Sequence, residues 1–269
     1  MQEIHQNQVI DSLSSLGICS GDGLLVHSAV QFLGRPVGGL GLYLDAIFAV
    51  IGPEGTLVVP TFNFGFTRGE PYDPAETPSQ GMGAFSEYVR CLPAAQRTSH
   101  PMQSIAIIGR YADDLASRDT LSAFDAGSAF ERMLELDFKL LLLGADSRAI
   151  SMFHYCEQRA AVPYRYWKEF SGMVRSQTGW ENRTYHMFVR DLDIKPELTL
   201  DPVVARMQQR GEWRSIHLNY GQLVACRLSD FVRAADHFLQ QDPWSLVMRR
   251  RGQETLDQRG LETHDQQSV

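Results

Sequence analysis

The 269-residue sequence has few of the features that mark membrane, metal-binding or nucleic-acid-binding proteins. No apolar run approaches the roughly 20 residues that a helix needs to cross a bilayer. The four cysteines include no C-x-x-C pair, so we expect no metal site. The net charge of −7 argues against a basic surface for nucleic acid. The N-terminus lacks the basic and then apolar profile of a signal peptide, so we expect a cytoplasmic protein without a membrane partner.

Short apolar runs alternate with amphipathic segments through the first 160 residues. Strands are predicted at 24–26, 56–60, 104–109 and 139–143, and helices at 4–16, 43–51, 84–91 and 128–136. This alternation is typical of an α/β sheet with helices on its faces. We predict an α/β fold with a central mixed sheet flanked by helices and a smaller C-terminal α+β portion.

The character of the sequence changes after Gly172. Alternation of apolar and polar residues predicts a strand at 180–189, in an antiparallel hairpin with residues near Met173, and helices follow at 201–209 and 229–238. The last residues are polar, which predicts a mobile tail. We therefore divide the chain into a catalytic α/β region at 1–172, a C-terminal α+β portion of the same domain at 173–248, and a tail at 249–269.

A histidine and a glutamate follow the apolar run at 139–143. If a helix begins near Ser147 or Ser151, His154 and Glu157 share one helical face. A carboxylate beside an imidazole fixes its tautomer and raises its basicity, as a general base requires. A solvated surface pair is the alternative. Cys156 is a candidate nucleophile, although its position points off that face and a small buried residue is the simpler interpretation.

Other candidate residues follow strand ends or glycines. His27 and Ser28 end a predicted strand, where ligands bind in α/β sheets. The glycines of the 37–39 loop precede a helix and could present backbone N–H groups to a phosphate. His100 precedes Pro101, which favours an extended backbone leading into the next strand. Each of these features also has a purely structural interpretation.

Together these motifs resemble one family. The motifs are Leu25-Val26-His27-Ser28, Gly52 to Thr61, Met82-Gly83-Ala84-Phe85, Arg97-Thr98-Ser99-His100-Pro101 with Ser104, Leu142-Leu143-Gly144, and His154-x-x-Glu157. In this order they resemble the aminoglycoside 3-N-acetyltransferases, acetyl-CoA-dependent antibiotic acetylases that differ in fold from the common GNAT acetyltransferases. The resemblance covers residues 5–172 well and the remainder loosely.

The resemblance implies that acetyl-CoA is the co-substrate and that no metal is needed. It also implies that the region 1–172 binds acetyl-CoA, and it assigns a role to each candidate residue. His154 would take the proton of the acceptor amine, Glu157 would orient its ring, and His100 would bind or polarise the acyl group. The residues expected to bind acetyl-CoA are His27, Ser28, Val37, Gly38, Gly39 and Ser104.

The acceptor is less constrained, because the chain departs from the family pattern at two places. Gly81 stands where the family often has arginine, and residues 125–128 read Asp-Ala-Gly-Ser where it has Gly-x-Gly-Ser. An aromatic and basic segment at 162–170 suits a phosphate-bearing sugar, whereas loop carboxylates suit a polycation. The residues expected to bind the acceptor are Glu70, Asp73, Tyr164, Arg165 and Lys168.

We therefore predict an acetyl-CoA-dependent N-acetyltransferase that acts on an amino sugar, nucleotide-linked or otherwise biosynthetic. The alternative is an aminoglycoside 3-N-acetyltransferase conferring antibiotic resistance. Either acceptor is a small molecule, and a homo-oligomer is compatible with the sequence. A cysteine- or serine-dependent hydrolase that uses His154 would need a nucleophile elbow, and the sequence has no Gly-x-Ser-x-Gly. The third class is a non-catalytic module that binds CoA or a sugar, and an activity assay distinguishes it from an enzyme.

Overall fold

The computed structural model describes residues 2–248. The strands are β1 (Glu3–Ile4), β2 (Gly23–Ser28), β3 (Arg35–Pro36), β4 (Thr56–Pro60), β5 (Gln96–Arg97), β6 (Ile105–Gly109), β7 (Lys139–Leu143), β8 (Arg165–Ser176), β9 (Gly179–Arg190), β10 (Arg214–Leu218) and β11 (Gly221–Arg227). The helices are α1 (Gln6–Ser15), α2 (Gly41–Ile51), α3 (Ala84–Arg90), α4 (Ala112–Ala116), α5 (Ala129–Glu135), α6 (Met152–Arg159), α7 (Asp201–Gln209) and α8 (Leu228–Gln241).

A seven-stranded mixed sheet forms the centre of the fold, as predicted. Its strand order is β10-β11-β7-β2-β4-β6-β5. The three central strands β7, β2 and β4 are parallel, and β11 and β6 join them antiparallel on either side. The carboxyl ends of the parallel strands therefore meet at one edge of the sheet, where α/β proteins place their ligand sites.

Successive residues of the central strands belong to two hydrophobic cores, one on each face of the sheet. In β7, Leu141 and Leu143 pack in the core with α1, α2 and α3, whereas Leu140 and Leu142 pack in the core with α5, α6 and α8. The alternation follows from the period of two in a strand. Because both faces are covered, the strand is apolar throughout, and each buried leucine contributes about 2 kcal/mol.

The predicted antiparallel hairpin between residues 180–189 and the residues near Met173 is confirmed. β8 and β9 pair antiparallel over their whole length, from Arg165 opposite Arg190 to Ser176 opposite Gly179. The inner face of the hairpin packs on Phe66 and Tyr72 of the segment that follows β4. The expected division at residues 172 and 173 falls within β8, and the predicted tail at 249–269 lies outside the described residues.

Two parts of the fold differ from expectation. The chain begins with β1, which pairs with β3, and α1 starts at Gln6 rather than Ile4. The side chain of Gln8 accepts a hydrogen bond from the backbone N–H of His5, which stabilises this later helix start. The sequence also failed to predict the β10–β11 hairpin, which places β11 beside β7. Residues 2–248 include no helix that is long and apolar enough to span a bilayer.

Candidate active site

A cleft of about 1350 Å³ opens at the carboxyl ends of the central strands. His27 and Ser28 at the end of β2 and Pro60 at the end of β4 form part of its floor. The connection before α6 and the first turn of α6 contribute Arg148, Ala149, Ile150, Ser151, Phe153 and His154. The remaining wall comes from Phe62, Phe64, Gly81 and Met82 after β4, from residues between Arg190 and Leu200, and from Trp244, Val247 and Met248.

The connection from β7 to α6 brings His154 to this edge. Gly144, the first residue after β7, has φ +76°, and a Cβ atom there would lie 2.7 Å from the carbonyl oxygen of Ala29. A side chain at this position would therefore push the connection away from β2. The glycine lets the chain pass close to the end of β2 before α6 starts.

His154 and Glu157 lie on one face of α6, as the spacing predicts. His154 Nδ1 lies 2.9 Å from Glu157 Oε2. Because a carboxylate oxygen only accepts, Nδ1 carries the proton and donates it to Glu157, and Nε2 keeps its lone pair. Glu157 is completely buried, whereas a third of the His154 side chain is exposed. His154 lines the cleft, so Nε2 is the ring nitrogen left for a bound amine.

Arg165, at the first position of β8, completes a buried group with this pair. Its guanidinium donates to Glu157 Oε2 at 2.8 Å and lies 3.3 Å from His154 Nδ1. Burial alone would raise the pKa of Glu157, but the hydrogen bond from His154 and the positive charge of Arg165 outweigh it. The pKa of Glu157 therefore lies below its ordinary value.

His27 is held by the start of α6. Its Nε2 accepts the backbone N–H of Ser151 at 2.9 Å and lies 2.9 Å from the Ser151 hydroxyl. Burial, with a contribution from His154, lowers the pKa of His27 to about 3, so the ring is neutral and its proton is on Nδ1. His27 Nδ1 and Ser28 Oγ are buried and have no hydrogen-bond partner within residues 2–248.

His100 lies outside the cleft wall. Its Nδ1 accepts the backbone N–H of Gln103 at 3.1 Å, and its Nε2 lies 3.3 Å from the carbonyl oxygen of His186 in β9. Burial lowers the pKa of His100 to about 4. Both ring nitrogens are taken by the backbone, so the expected role at the acyl group has no free nitrogen to perform it. His100 instead joins the loop before β6 to the hairpin.

The structure also does not bring Ser104 or the 37–39 loop to the cleft wall. The Ser104 hydroxyl is completely buried and donates to the carbonyl oxygen of Thr61 at 2.9 Å. Val37 is exposed, with Gly38 and Gly39 directly after it and before α2. Their part in binding acetyl-CoA stays a prediction.

The residues expected to bind the acceptor are dispersed. Glu70 pairs with Arg68 on the surface, and Asp73 caps a turn by accepting the N–H of Ala75. Lys168 lies over the ring of Phe170 on the hairpin. None of these three lines the cleft.

Tyr164 and Arg165 lie behind His154 rather than in the cleft wall. Tyr164 is buried, and burial together with the charge of Glu157 raises the pKa of its phenol. The Arg165 side chain is only 8% exposed and is bound to Glu157, so its guanidinium is not available to a substrate phosphate.

Sequence reasoning missed the acidic residues that do line the cleft. Asp193 and Glu197 lie in the segment between β9 and α7, and both contribute to its wall. The sequence did carry a signal for them, because several acidic residues follow a predicted strand within a short segment. What the sequence does not show is that this segment borders the same cleft as the end of β2.

Cys156 is completely buried among apolar residues of α6 and its neighbours, and burial raises the pKa of its thiol well above the ordinary value. Its sulfur lies 3.7 Å from the carbonyl oxygen of Met152. A buried thiol of this kind is inert, which argues against a cysteine-dependent hydrolase. Within residues 2–248, no three or more His, Cys, Asp or Glu side chains are grouped to hold a metal ion.

Comparison with known proteins assigns the family. The family model of the aminoglycoside 3-N-acetyltransferases matches residues 25–240. Aminoglycoside N(3)-acetyltransferase III of Salmonella sp. is 30% identical over 192 residues, which cover 65% of this chain and 67% of the relative. Aminoglycoside N(3)-acetyltransferase IV of Salmonella sp. is 37% identical over 166 residues, which cover 60% of this chain and 62% of the relative. The matched stretch thus spans about two thirds of these relatives.

Solved structures share the fold. AAC-IIIb, in a binary complex with CoASH, superposes with a TM-score of 0.80 at 21% identity, over 89% of this chain and 97% of that one. A histidine-to-alanine mutant of AAC(3)-IVa in complex with a gentamicin superposes with a TM-score of 0.75 at 25% identity, over 93% of both chains. The family match defines the class of the protein as an N-acetyltransferase. The chain belongs to the aminoglycoside 3-N-acetyltransferase family.

Proposed function

We propose that this protein transfers the acetyl group of acetyl-CoA to the 3-amino group of an aminoglycoside, with His154 as the general base. The observation that carries the proposal is the His154 side chain, which lines the cleft and is bound through Nδ1 to the buried Glu157, so that Nε2 is the nitrogen left for an amine. This is the arrangement that deprotonation of an amine requires. Membership of the family supports the same chemistry.

The reaction is a direct transfer. The nitrogen of the acceptor attacks the thioester carbonyl, so that a C–N bond forms and the C–S bond to CoA breaks. His154 Nε2 takes the proton that the amine loses, and the departing sulfur can receive it afterwards. Glu157 stabilises the imidazolium through Nδ1 while it exists.

His27 and Ser28 fit the acetyl-CoA side of the cleft. A buried N–H and a buried hydroxyl without partners cost free energy unless a ligand satisfies them. Both residues contribute to the cleft floor at the end of β2. Donors at this position suit the carbonyl groups of the pantetheine arm or of the thioester, where they would stabilise developing negative charge.

The acceptor is better described as an aminoglycoside than as a phosphate-bearing biosynthetic amino sugar. Arg165 is bound to Glu157, and Lys168 lies outside the cleft wall, so the pair expected to bind a phosphate is not assembled. The cleft wall carries Asp193 and Glu197 as well as Arg148, Arg190 and Lys195, and the two acids can bind ammonium groups of a polycation. The relatives named for aminoglycosides support this alternative over the biosynthetic one.

The test is a CoA-release assay with a panel of aminoglycosides and nucleotide-linked amino sugars. We expect release with aminoglycosides, and a product acetylated at the 3-amino group by NMR. Asp193→Asn should raise KM for the aminoglycoside about tenfold, the equivalent of 1.4 kcal/mol, with little change in KM for acetyl-CoA. Glu54→Gln is the matched control, because Glu54 is an exposed acid paired with Arg110. Turnover with the nucleotide-linked sugars alone would overturn the choice of acceptor.

A further inference from the structure

Arg165 shares one oxygen of Glu157 with the imidazole of His154. Glu157 Oε2 accepts the Nδ1–H of His154 at 2.9 Å and the guanidinium of Arg165 at 2.8 Å. The guanidinium is itself fixed, because it also donates to the carbonyl oxygen of Phe188 in β9 at 3.0 Å. The first residue of β8 therefore holds a cation at a fixed position behind His154, the proposed general base.

The charges of the three groups explain why that cation matters. Glu157 is completely buried, so its negative charge requires a positive partner. With Arg165 present, the carboxylate is neutralised and His154 completes the group as a neutral ring. Without Arg165, the only neutral arrangement that keeps the carboxylate ionised needs His154 as imidazolium. An imidazolium has no lone pair on Nε2 and cannot accept a proton.

The other groups around the pair do not replace Arg165. His27, facing from β2, is neutral because burial lowers its pKa to about 3. The phenol of Tyr164 is neutral because its pKa is raised. Arg190, opposite Arg165 on β9, lies in the cleft wall. On the far side of α6, Asp236 of α8 pairs with Arg159, and Asp125 accepts a hydrogen bond from Gln158.

We propose that Arg165 is a positioning residue that keeps Glu157 ionised and His154 neutral in the resting protein, so that His154 is ready to accept the proton of the acceptor amine. The expected effect of Arg165 on turnover rests on the proposed function. Its effect on the protonation of His154 can be measured without turnover. It differs from a role in binding a substrate phosphate, which would change KM alone.

The test compares Arg165→Met with Lys168→Met, a matched loss of a cation from the same strand. Two readouts are followed: the pH dependence of kcat/KM, and an NMR titration of the His154 ring without substrate. In Arg165→Met we expect the ring to protonate at a pH about one unit higher or more, and the acid limb of kcat/KM to move up by the same amount. Arg165→Lys should recover part of the shift, and Lys168→Met should show none.

The two readouts separate the proposals. If the ring titration shifts but no substrate is acetylated, the role of Arg165 stands and the proposed function fails. An unshifted titration in folded Arg165→Met overturns the role of Arg165, as does a rise in KM with an unchanged acid limb. If Arg165→Met does not fold, Arg165→Lys and Arg165→Gln are titrated instead. Equal titrations in Gln, Lys and wild type then overturn it.

Discussion

His27 and Ser151, which are 124 positions apart in the sequence, are joined at the edge of the cleft. The Nε2 atom of His27 accepts the backbone N–H of Ser151, the residue directly before α6, at 2.9 Å. This bond ties the end of β2 to the first turn of α6, on which His154 lies. The residue expected to contact acetyl-CoA thus also positions the proposed base.

The neutral histidines should make the fold sensitive to mild acid. Burial lowers the pKa of His27 to about 3 and that of His100 to about 4, from about 6.5 in the unfolded chain. Above pH 6.5 the two histidines are neutral in both the folded and the unfolded chain, and their contribution to the free energy of unfolding is fully present. Below pH 6.5 the histidines bind protons only in the unfolded chain, so the free energy of unfolding decreases as pH falls. Between pH 6.5 and 5 we expect a loss of roughly 2 kcal/mol for each histidine.

Urea unfolding at pH 6.5 and pH 5 measures this loss. His100→Asn keeps an acceptor for the Gln103 N–H and removes one titrating group, so its stability should fall about half as much as that of the wild type between the two pH values. His217→Asn, at an exposed position of β10, should behave as the wild type. An equal fall in His100→Asn and wild type would show that His100 is not the source.

Two glycines after β4 make a matched pair. Gly69 and Gly83 both have positive φ, +85° and +87°. A Cβ atom at Gly83 would lie 2.8 Å from the carbonyl oxygen of Ser28, whereas one at Gly69, which is outside the cleft wall, would meet nothing within 4 Å. Both alanine variants should lose about 1 kcal/mol of stability from the backbone. Only Gly83→Ala should also displace Ser28 and raise KM for acetyl-CoA. Equal effects on KM in the two variants would contradict this.

Arg97 fastens the segment between β4 and α3. Its guanidinium donates to the carbonyl oxygens of Thr61 and Pro74 and also to that of Thr77, and its Nε to the Ser104 hydroxyl. In Arg97→Met the carbonyl oxygen of Thr61 keeps the Ser104 hydroxyl, whereas the partly buried carbonyl oxygens of Pro74 and Thr77 lose the guanidinium. We expect the substitution to lower the free energy of unfolding by about 2–4 kcal/mol.

Limited proteolysis shows whether the effect of Arg97→Met reaches the segment itself. Arg68 lies within it and is exposed, so trypsin should cut there faster in the variant than in the wild type. Arg110→Met removes an exposed arginine of the same size and serves as control. A cleavage pattern and stability like those of Arg110→Met would show that Arg97 does not hold the segment.

Local patterns predicted the central strands and the His154–Glu157 pair. The strands are continuous apolar runs because both faces of the sheet are buried, and a separation of three residues places two side chains on one helical face whatever the rest of the chain does. These features depend on neighbours in sequence, so they can be predicted before the fold is known.

The partners of the pair depend on distant pairing. Arg165 reaches Glu157 only because the base of the β8–β9 hairpin packs beside α6, and its sequence context favoured an exposed phosphate-binding residue. His100 was expected in the cleft because it precedes a strand, but no local pattern shows on which side of the sheet the preceding loop turns. The β10–β11 hairpin was missed for the same reason, since its place beside β7 is set by tertiary contacts.

The measurement that tests the account most directly is the rate of CoA release by His154→Ala with saturating aminoglycoside and acetyl-CoA. Loss of the general base should lower kcat by roughly 10²–10⁴-fold, while calorimetry shows an almost unchanged affinity for CoA. His186→Ala, which removes a histidine paired with Glu169 on the hairpin surface, should retain the wild-type rate. A His154→Ala protein that releases CoA at the wild-type rate would contradict the role of His154 as the base.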